Sequence, residues 1–580
     1  MRLAPFLIAL AAVAQTPGFD LPDDVVPKKH TIDMTIDPGK DTFEGTARIE
    51  VELKKSTSVI WVNAKDLTPI EASAGKQKAR AEAAGGEFIG LNLDSPAGPG
   101  PSTITIHYRG KLDEKAIVGP YRKRVGDDWY VFTSFTPIDA RRAFPCFDEP
   151  RFKTPWEMTI HVKRSNRAFA NGKEIKETDE PNGMKAVHFA RTEPLPAEVV
   201  AFAVGPFDAT ETVKAGHGTA IRVIAPRGSA PQGKAALDAT VDVLPRLEAY
   251  TGIPYPFGKL DHLADPEFPF GATENPGLIV YRMRSLLKAP EEGDEKDRAI
   301  RRIASHEMAH QWFGDMVTQA SWDDVWLSEG FATWLSSKIM DEYETPARKH
   351  LAAVAARERI MTADNSSRTR PVRRTMHSRD EIKDVYSQIV YQKGAAILLM
   401  LDGWLGEDVM RAALRSYLKM HQFGNASTAD LEAAIGRGAA PVMDSFLNQT
   451  GVPVVTAGLK CNGSIATVAI EHTGRETIPV CIRGNGVDQT CGTGPSIVLK
   501  SCPAWTYFNS GATGYYRTDW TPDQLKALDL AALTAAERLM LVYDLKALKG
   551  RIDVAPYLTK LASDTEPEIA KASAEAMQSK

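Results

Sequence analysis

The chain has 580 residues, 43% of them hydrophobic and 25% charged, a globular composition that excludes a disordered or fibrous protein. Its 70 Lys and Arg against 74 Asp and Glu leave a net charge of −4, which offers no basic field for nucleic acid. At about 150 residues per domain the length predicts roughly four domains, and function has to be read from motifs.

Met1 and Arg2 precede an apolar run over residues 3–14 that ends in Ala12-Val13-Ala14. A basic start, a short apolar stretch and a small-residue end have the form of a secretory signal peptide over residues 1–14. The run is too short for the roughly 20 residues that cross a bilayer. The expectation is an exported chain, periplasmic or extracellular, with no stable membrane insertion after cleavage. From His30 to about Ile224 apolar residues alternate, as over residues 30–36, 47–53 and 103–108, between Gly/Pro-rich breaks. That period of two predicts half-buried strands and a β-rich domain over residues 15–225.

The texture then changes. Apolar residues return every three or four positions over residues 234–250, 296–313, 329–343, 390–405 and 409–421, predicting a mainly helical domain over 226–448. After Gly451-Val452-Pro453 alternation resumes over residues 465–470 and 496–499, so residues 449–519 read as a small β-sandwich. This segment holds Cys461, Cys481, Cys491 and Cys502 without the C-x-x-C pairs of a structural zinc site. Two disulfides in an oxidising compartment fit that pattern, with three connectivities open. Cys146, in Phe144-Pro145-Cys146-Phe147, reads as a buried, inert thiol. Helical patterns over residues 524–528, 535–548 and 569–577 make residues 520–580 a partial C-terminal helical domain. The fold class is multidomain α+β.

Within the helical region lies His306-Glu307-Met308-Ala309-His310. On a helix, residues four apart share a face, so both imidazoles can address one ion, with Glu307 beside it. Eighteen residues separate His310 from Glu329, which opens the next helical pattern in Trp326-Leu327-Ser328-Glu329-Gly330, with Ser328 as its expected N-cap. A carboxylate among such apolar neighbours needs a compensating charge. His306, His310 and Glu329 therefore read as a two-His, one-Glu catalytic zinc site holding one Zn²⁺ per chain.

With these motifs the sequence resembles the zinc aminopeptidases of the gluzincin class, typified by aminopeptidase N and leukotriene hydrolase. Phe270-Gly271-Ala272-Thr273-Glu274-Asn275-Pro276-Gly277 is similar to that family's exopeptidase motif, with Thr273 in place of Met. Ala140-Arg141-Arg142-Ala143-Phe144-Pro145-Cys146-Phe147-Asp148-Glu149-Pro150 resembles the signature of its N-terminal domain. Val390-Tyr391-Gln392-Lys393-Gly394 resembles the segment bearing the catalytic tyrosine, and Gly514-Tyr515-Tyr516-Arg517 the end of the small sandwich. The resemblance implies a β-rich saddle domain, a thermolysin-like catalytic domain, a β-sandwich and a truncated C-terminal helical domain.

It further implies peptide substrates with a free N-terminus. Glu307 serves as general base and Tyr391 as donor to the oxyanion. Glu274, with Gly271, Ala272 and Asn275, binds the substrate's amino end, and Phe270 lines the first side-chain pocket. At Ser134 and Thr136 the family usually carries longer polar side chains, so a substrate-binding role for Ser134 implies weaker recognition of the ammonium group. The alternatives are an inactive peptidase-like scaffold or a related epoxide-type hydrolase. A scaffold usually lacks a ligand or the base, and here both sets are present.

Overall fold

Three strands set the frame of the N-terminal part. Val25–Thr35 (β1), Thr42–Leu53 (β2) and Gly100–Lys111 (β3) lie side by side and antiparallel within a ten-stranded sheet. Ile49 of β2 stands opposite His30 on one side and Ile104 on the other. Along β2, Ala47, Ile49 and Val51 are buried while Arg48 and Glu50 face solvent, as a half-buried strand requires. Burying each Ile side chain contributes about 1.5–3 kcal/mol. The computed structural model describes residues 16–579, and counts and absences refer to these. The expected signal peptide falls outside the described residues.

The chain forms two compact units, Met1–Phe207 and Asp208–Lys580. In the first, the signature at residues 140–150 is a structural clip. Buried Arg141 donates through Nε to Asp148 Oδ2 at 2.8 Å, through Nη1 to Glu87 Oε2 at 3.1 Å, and through Nη2 to the Asp148 carbonyl at 3.2 Å. Cys146 beside it is buried and free, and burial pushes its thiol well above the ordinary range, as an inert cysteine requires. Asp128–Ser134 (β4) belongs to a separate four-stranded sheet of this unit.

The second unit has a sheet of its own. Thr219–Pro226 (β5) runs parallel to Lys259–Asp265 (β6), and β6 parallel to Leu278–Arg282 (β8); Ala272–Thr273 (β7) pairs antiparallel with β8. The sequence reading placed residues 219–225 with the N-terminal β domain, and the pairing assigns them here instead. Alternation reveals a strand but not the sheet it joins. Strand β6 is buried along its whole length, so it has no alternation to read, and the region presented only its helices.

Among the helices of this unit are Lys234–Thr251 (α1), Asp294–His310 (α2), Trp326–Asp341 (α3), Leu351–Asp364 (α4) and Gly394–Leu405 (α5). The sandwich strands follow, with Val454–Asn462 paired to Ile465–His472, and disulfides join Cys461 to Cys502 and Cys481 to Cys491. This is one of the three connectivities left open by the sequence. Helix Ala535–Leu548 (α6) starts on a capping box of Thr534 and Glu537. The buried Glu537 also accepts Arg483 Nε at 2.8 Å and the Gly511 amide at 2.9 Å, tying α6 to the sandwich. Among the described residues no helix is long and apolar enough to cross a membrane.

Candidate metal centre

Helix α2 presents His306 and His310 on one face, and α3 brings Glu329 against them. The Nε2 atoms of the two histidines lie 3.2 Å apart, and Glu329 Oε2 lies 3.5 Å from that of His306 and 3.3 Å from that of His310. Donors of a tetrahedral zinc site, each about 2.0–2.1 Å from the ion, stand roughly 3.3 Å apart, and these three fit that spacing. Glu329 Oε2 is buried and has no hydrogen-bond partner. A buried carboxylate oxygen turned to two imidazole nitrogens, and otherwise unsatisfied, is the donor set a divalent cation completes. Two imidazoles and one carboxylate make up the donor set of a catalytic zinc site.

Helix α3 begins at Trp326, three residues before Glu329, and Ser328 is therefore not its N-cap. It lies inside the first turn, with its Oγ 2.9 Å from His310 Nδ1. With Nε2 turned to the cluster, Nδ1 carries the proton and donates to Ser328 Oγ and to the Phe313 carbonyl at 3.2 Å. Sequence reasoning assigned this serine to the helix start because the apolar pattern masked the earlier onset.

Tyr391 arrives from a π-helical segment, Ile389–Lys393, that leads into α5. Its hydroxyl donates to Glu329 Oε1 at 2.9 Å, and its ring lies 18° from parallel to that of His306 with centroids 6.1 Å apart. Two glycines allow the approach. A Cβ on Gly330 would meet the Gly394 backbone at 3.2 Å, so α3 and α5 cross where neither carries a side chain.

Glu307 and Glu274 complete the centre. A ligand atom from each of Glu274, Glu307 and His310 lies within 4.8 Å of the others. Burial raises the Glu307 carboxyl well above its usual range; the His310 charge opposes this, and the Glu274 and Glu329 carboxylates add to it. Burial also works to raise Glu329, but His310 and His306 outweigh it and hold that carboxyl at about 2. The same site thus keeps one carboxylate ionised for a cation and makes its neighbour a stronger base.

Glu274 follows β7. Its carbonyl accepts Gln311 Nε2 at 2.6 Å, and Gln311 also donates to Asp315 Oδ2 at 3.0 Å. Gln311, next to His310, was not singled out from the sequence, yet it fastens the Glu274 segment to the end of α2. Gly271 approaches α2 closely, since a Cβ there would stand 3.1 Å from Ile303 Cδ1. Ala272 lies in β7 opposite Tyr281, Asn275 is buried, and Phe270 is 47% exposed. Ser134 lies in the first unit at the end of β4, buried, with its Oγ unpartnered. The structure therefore gathers His306, Glu307, His310, Glu329, Tyr391 and Glu274, while Ser134 belongs to the other unit.

Residues 235–449 match the peptidase family M1 domain and residues 26–198 the peptidase M1 N-terminal domain. Aminopeptidase M1-A of Oryza sativa subsp. japonica is 31% identical over 588 residues, covering 92% of this chain and 65% of that protein. Aminopeptidase 2, mitochondrial, of Saccharomyces cerevisiae is 30% identical, covering 91% and 59%. The puromycin-sensitive aminopeptidase of Caenorhabditis elegans is 28% identical, covering 94% and 62%. The chain spans between about half and two thirds of the length of the curated relatives it matches.

Proposed function

The chain belongs to peptidase family M1, and from that premise we propose that it is a zinc aminopeptidase releasing the first residue of peptides with a free N-terminus. The observation that carries the reading is the carboxylate of Glu274 standing within one cluster with Glu307 and His310. A fixed anion beside the metal donors takes the substrate's α-ammonium through a charge-assisted bond and limits how far the chain enters. Only the first peptide bond then reaches Glu307.

Zinc, when bound, would supply Lewis-acid chemistry and bring the pKa of water down to about 7. His306, His310 and Glu329 would hold the ion, and the proton on His310 Nδ1 fixes that ring through Ser328. Glu307 takes the proton of the attacking water and hands it to the leaving amine. The Tyr391 hydroxyl donates to the oxyanion of the substrate as the carbonyl becomes tetrahedral. Losing one such donor costs about 100- to 1000-fold in rate.

The test is an aminoacyl arylamide assayed beside its α-N-acetylated form. The free amine should be cleaved, the blocked compound left intact, and activity lost to a chelator and restored by Zn²⁺. Equal turnover of both compounds would remove the role given to Glu274. Full activity in Glu307→Gln would remove the mechanism. We also propose export to a periplasmic or extracellular space, supported by the two disulfides. A reporter fused behind residues 1–25 and retained in the cytoplasm would refute it.

A further inference from the structure

A groove of about 550 Å³ is lined by His306 and Tyr391 and by residues of α2, α3, α4 and α5, while no residue of the segment 270–275 lines it. If Glu274 holds the amino end of a substrate, this groove receives the chain beyond the cleaved bond. Its lining includes small side chains, among them Ala353, Ala356 and Ala395, which leave room for an extended backbone.

Its charges are lopsided. The acids that line it are already engaged: Asp402 accepts Lys338 Nζ at 2.9 Å, Glu344 accepts Arg348 Nε at 3.1 Å, and Asp341 accepts the His350 amide at 3.1 Å. Arg298, Arg302 and Arg359 also line it, all three exposed and with no ion-pair partner among the described residues. Arg298, Arg302 and His306 repeat every four residues, so they share one face of α2. At 1.5 Å per residue the two arginines stand about 6 and 12 Å along the helix from His306. An extended peptide advances about 3.3–3.6 Å per residue. The arginines therefore accompany residues two to four past the cleaved bond, and Arg359 faces them from α4.

We infer that this groove selects peptides bearing a carboxylate two to four residues beyond the cleaved bond. The planar guanidinium fork pairs with a carboxylate at two points, and three unpaired forks along one path favour that anion over an amide or an ammonium. The carboxylate is supplied either by an Asp or Glu side chain or by the terminal α-carboxylate of a tri- to pentapeptide. The inference rests on the aminopeptidase reading for the direction in which the chain lies.

Two substrate series test it. Hexapeptide amides carrying Glu, Gln or Lys at the fourth residue report on a side-chain carboxylate; a tetrapeptide as free acid and as amide reports on the terminus. The zinc-loaded protein should favour Glu over Lys, or the acid over the amide, by about five- to tenfold in kcat/KM, with Gln between. Preference in one series alone identifies the source of the carboxylate. The same ratios should fall toward one in the combined Arg298→Gln, Arg302→Gln, Arg359→Gln variant and in high salt. Ratios near one in the unaltered protein, or ratios the triple variant leaves intact, overturn the inference. Calorimetric binding of the same peptides to zinc-loaded Glu307→Gln gives a readout independent of turnover. If arylamides are not cleaved but the acidic peptides still bind more tightly, the aminopeptidase reading fails and the carboxylate-selecting groove stands; equal binding sinks the groove alone.

Discussion

Ser328 precedes Glu329 in the chain and its hydroxyl touches His310 in space, so it orients one metal donor from the position beside another. Removing its hydroxyl leaves the His310 Nδ1–H with only the Phe313 carbonyl. Ser328→Ala should weaken zinc binding by about tenfold, measured by competition with a chelator, and Ser328→Thr should restore it. In the first unit, Asp148→Ala leaves the buried Arg141 without its closest partner and should cost about 3–5 kcal/mol in urea unfolding. His161 gives a pH-dependent counterpart. Its bond to Asp33 chiefly raises it, burial opposes, and Glu180 adds to the rise, taking it to about 9. A raised imidazole stabilises the fold fully below its unfolded value of about 6.5 and loses that contribution as pH climbs through about 9. The stability gap between the unaltered protein and His161→Gln should therefore be large at pH 6 and nearly closed at pH 10; a gap that widens with pH would contradict the pairing. The metal donors were legible because i, i+4 spacing needs nothing but a helix. The role of Ser328 was not, because it depends on where α3 begins.

At the scale of elements, the crossing of α3 and α5 at Gly330 and Gly394 sets the reach of Tyr391. Gly394→Ala gains about 1 kcal/mol of helix propensity, but the added methyl meets the Gly330 backbone, and overpacking of that kind costs about 1–3 kcal/mol. Net stability should fall only slightly. The displacement acts on the Tyr391 bond to Glu329, so kcat should drop at least about tenfold while KM changes little. A variant as active as the parent would show that the crossing does not govern the tyrosine. The helices bearing the metal donors were legible from their period, and so were the alternating strands of the first unit. Strand β6 was not, since burial on both faces erases alternation. Helix α4 also escaped, because five of its 14 residues are alanine, which sits equally well on either face. The π-helical turn at Ile389–Lys393 was read as the start of α5, since an apolar pattern does not register one extra residue in a turn.

Across the whole molecule, the multidomain α+β class and its β-to-helix-to-β order followed from changes in hydrophobic period. Pairings between distant segments did not, since no period encodes which strand meets which. The disulfides show this best, for only the folded chain chooses one of three connectivities. By loop entropy the Cys461–Cys502 bridge, closing 41 residues, contributes about 4 kcal/mol, and Cys481–Cys491, closing 10, about 3 kcal/mol. Replacing the first pair by alanine should lower the thermal midpoint more than replacing the second, and a reductant should abolish the difference. Arg348, just before α4, is held by Glu566 and by Glu568 at 2.9 Å, more than 200 residues further on. At about 5–20 residues per second of synthesis, those carboxylates emerge from the ribosome roughly ten seconds or more after the arginine. The nascent chain has already delivered every metal donor by then, while this buttress behind α4 has yet to be translated.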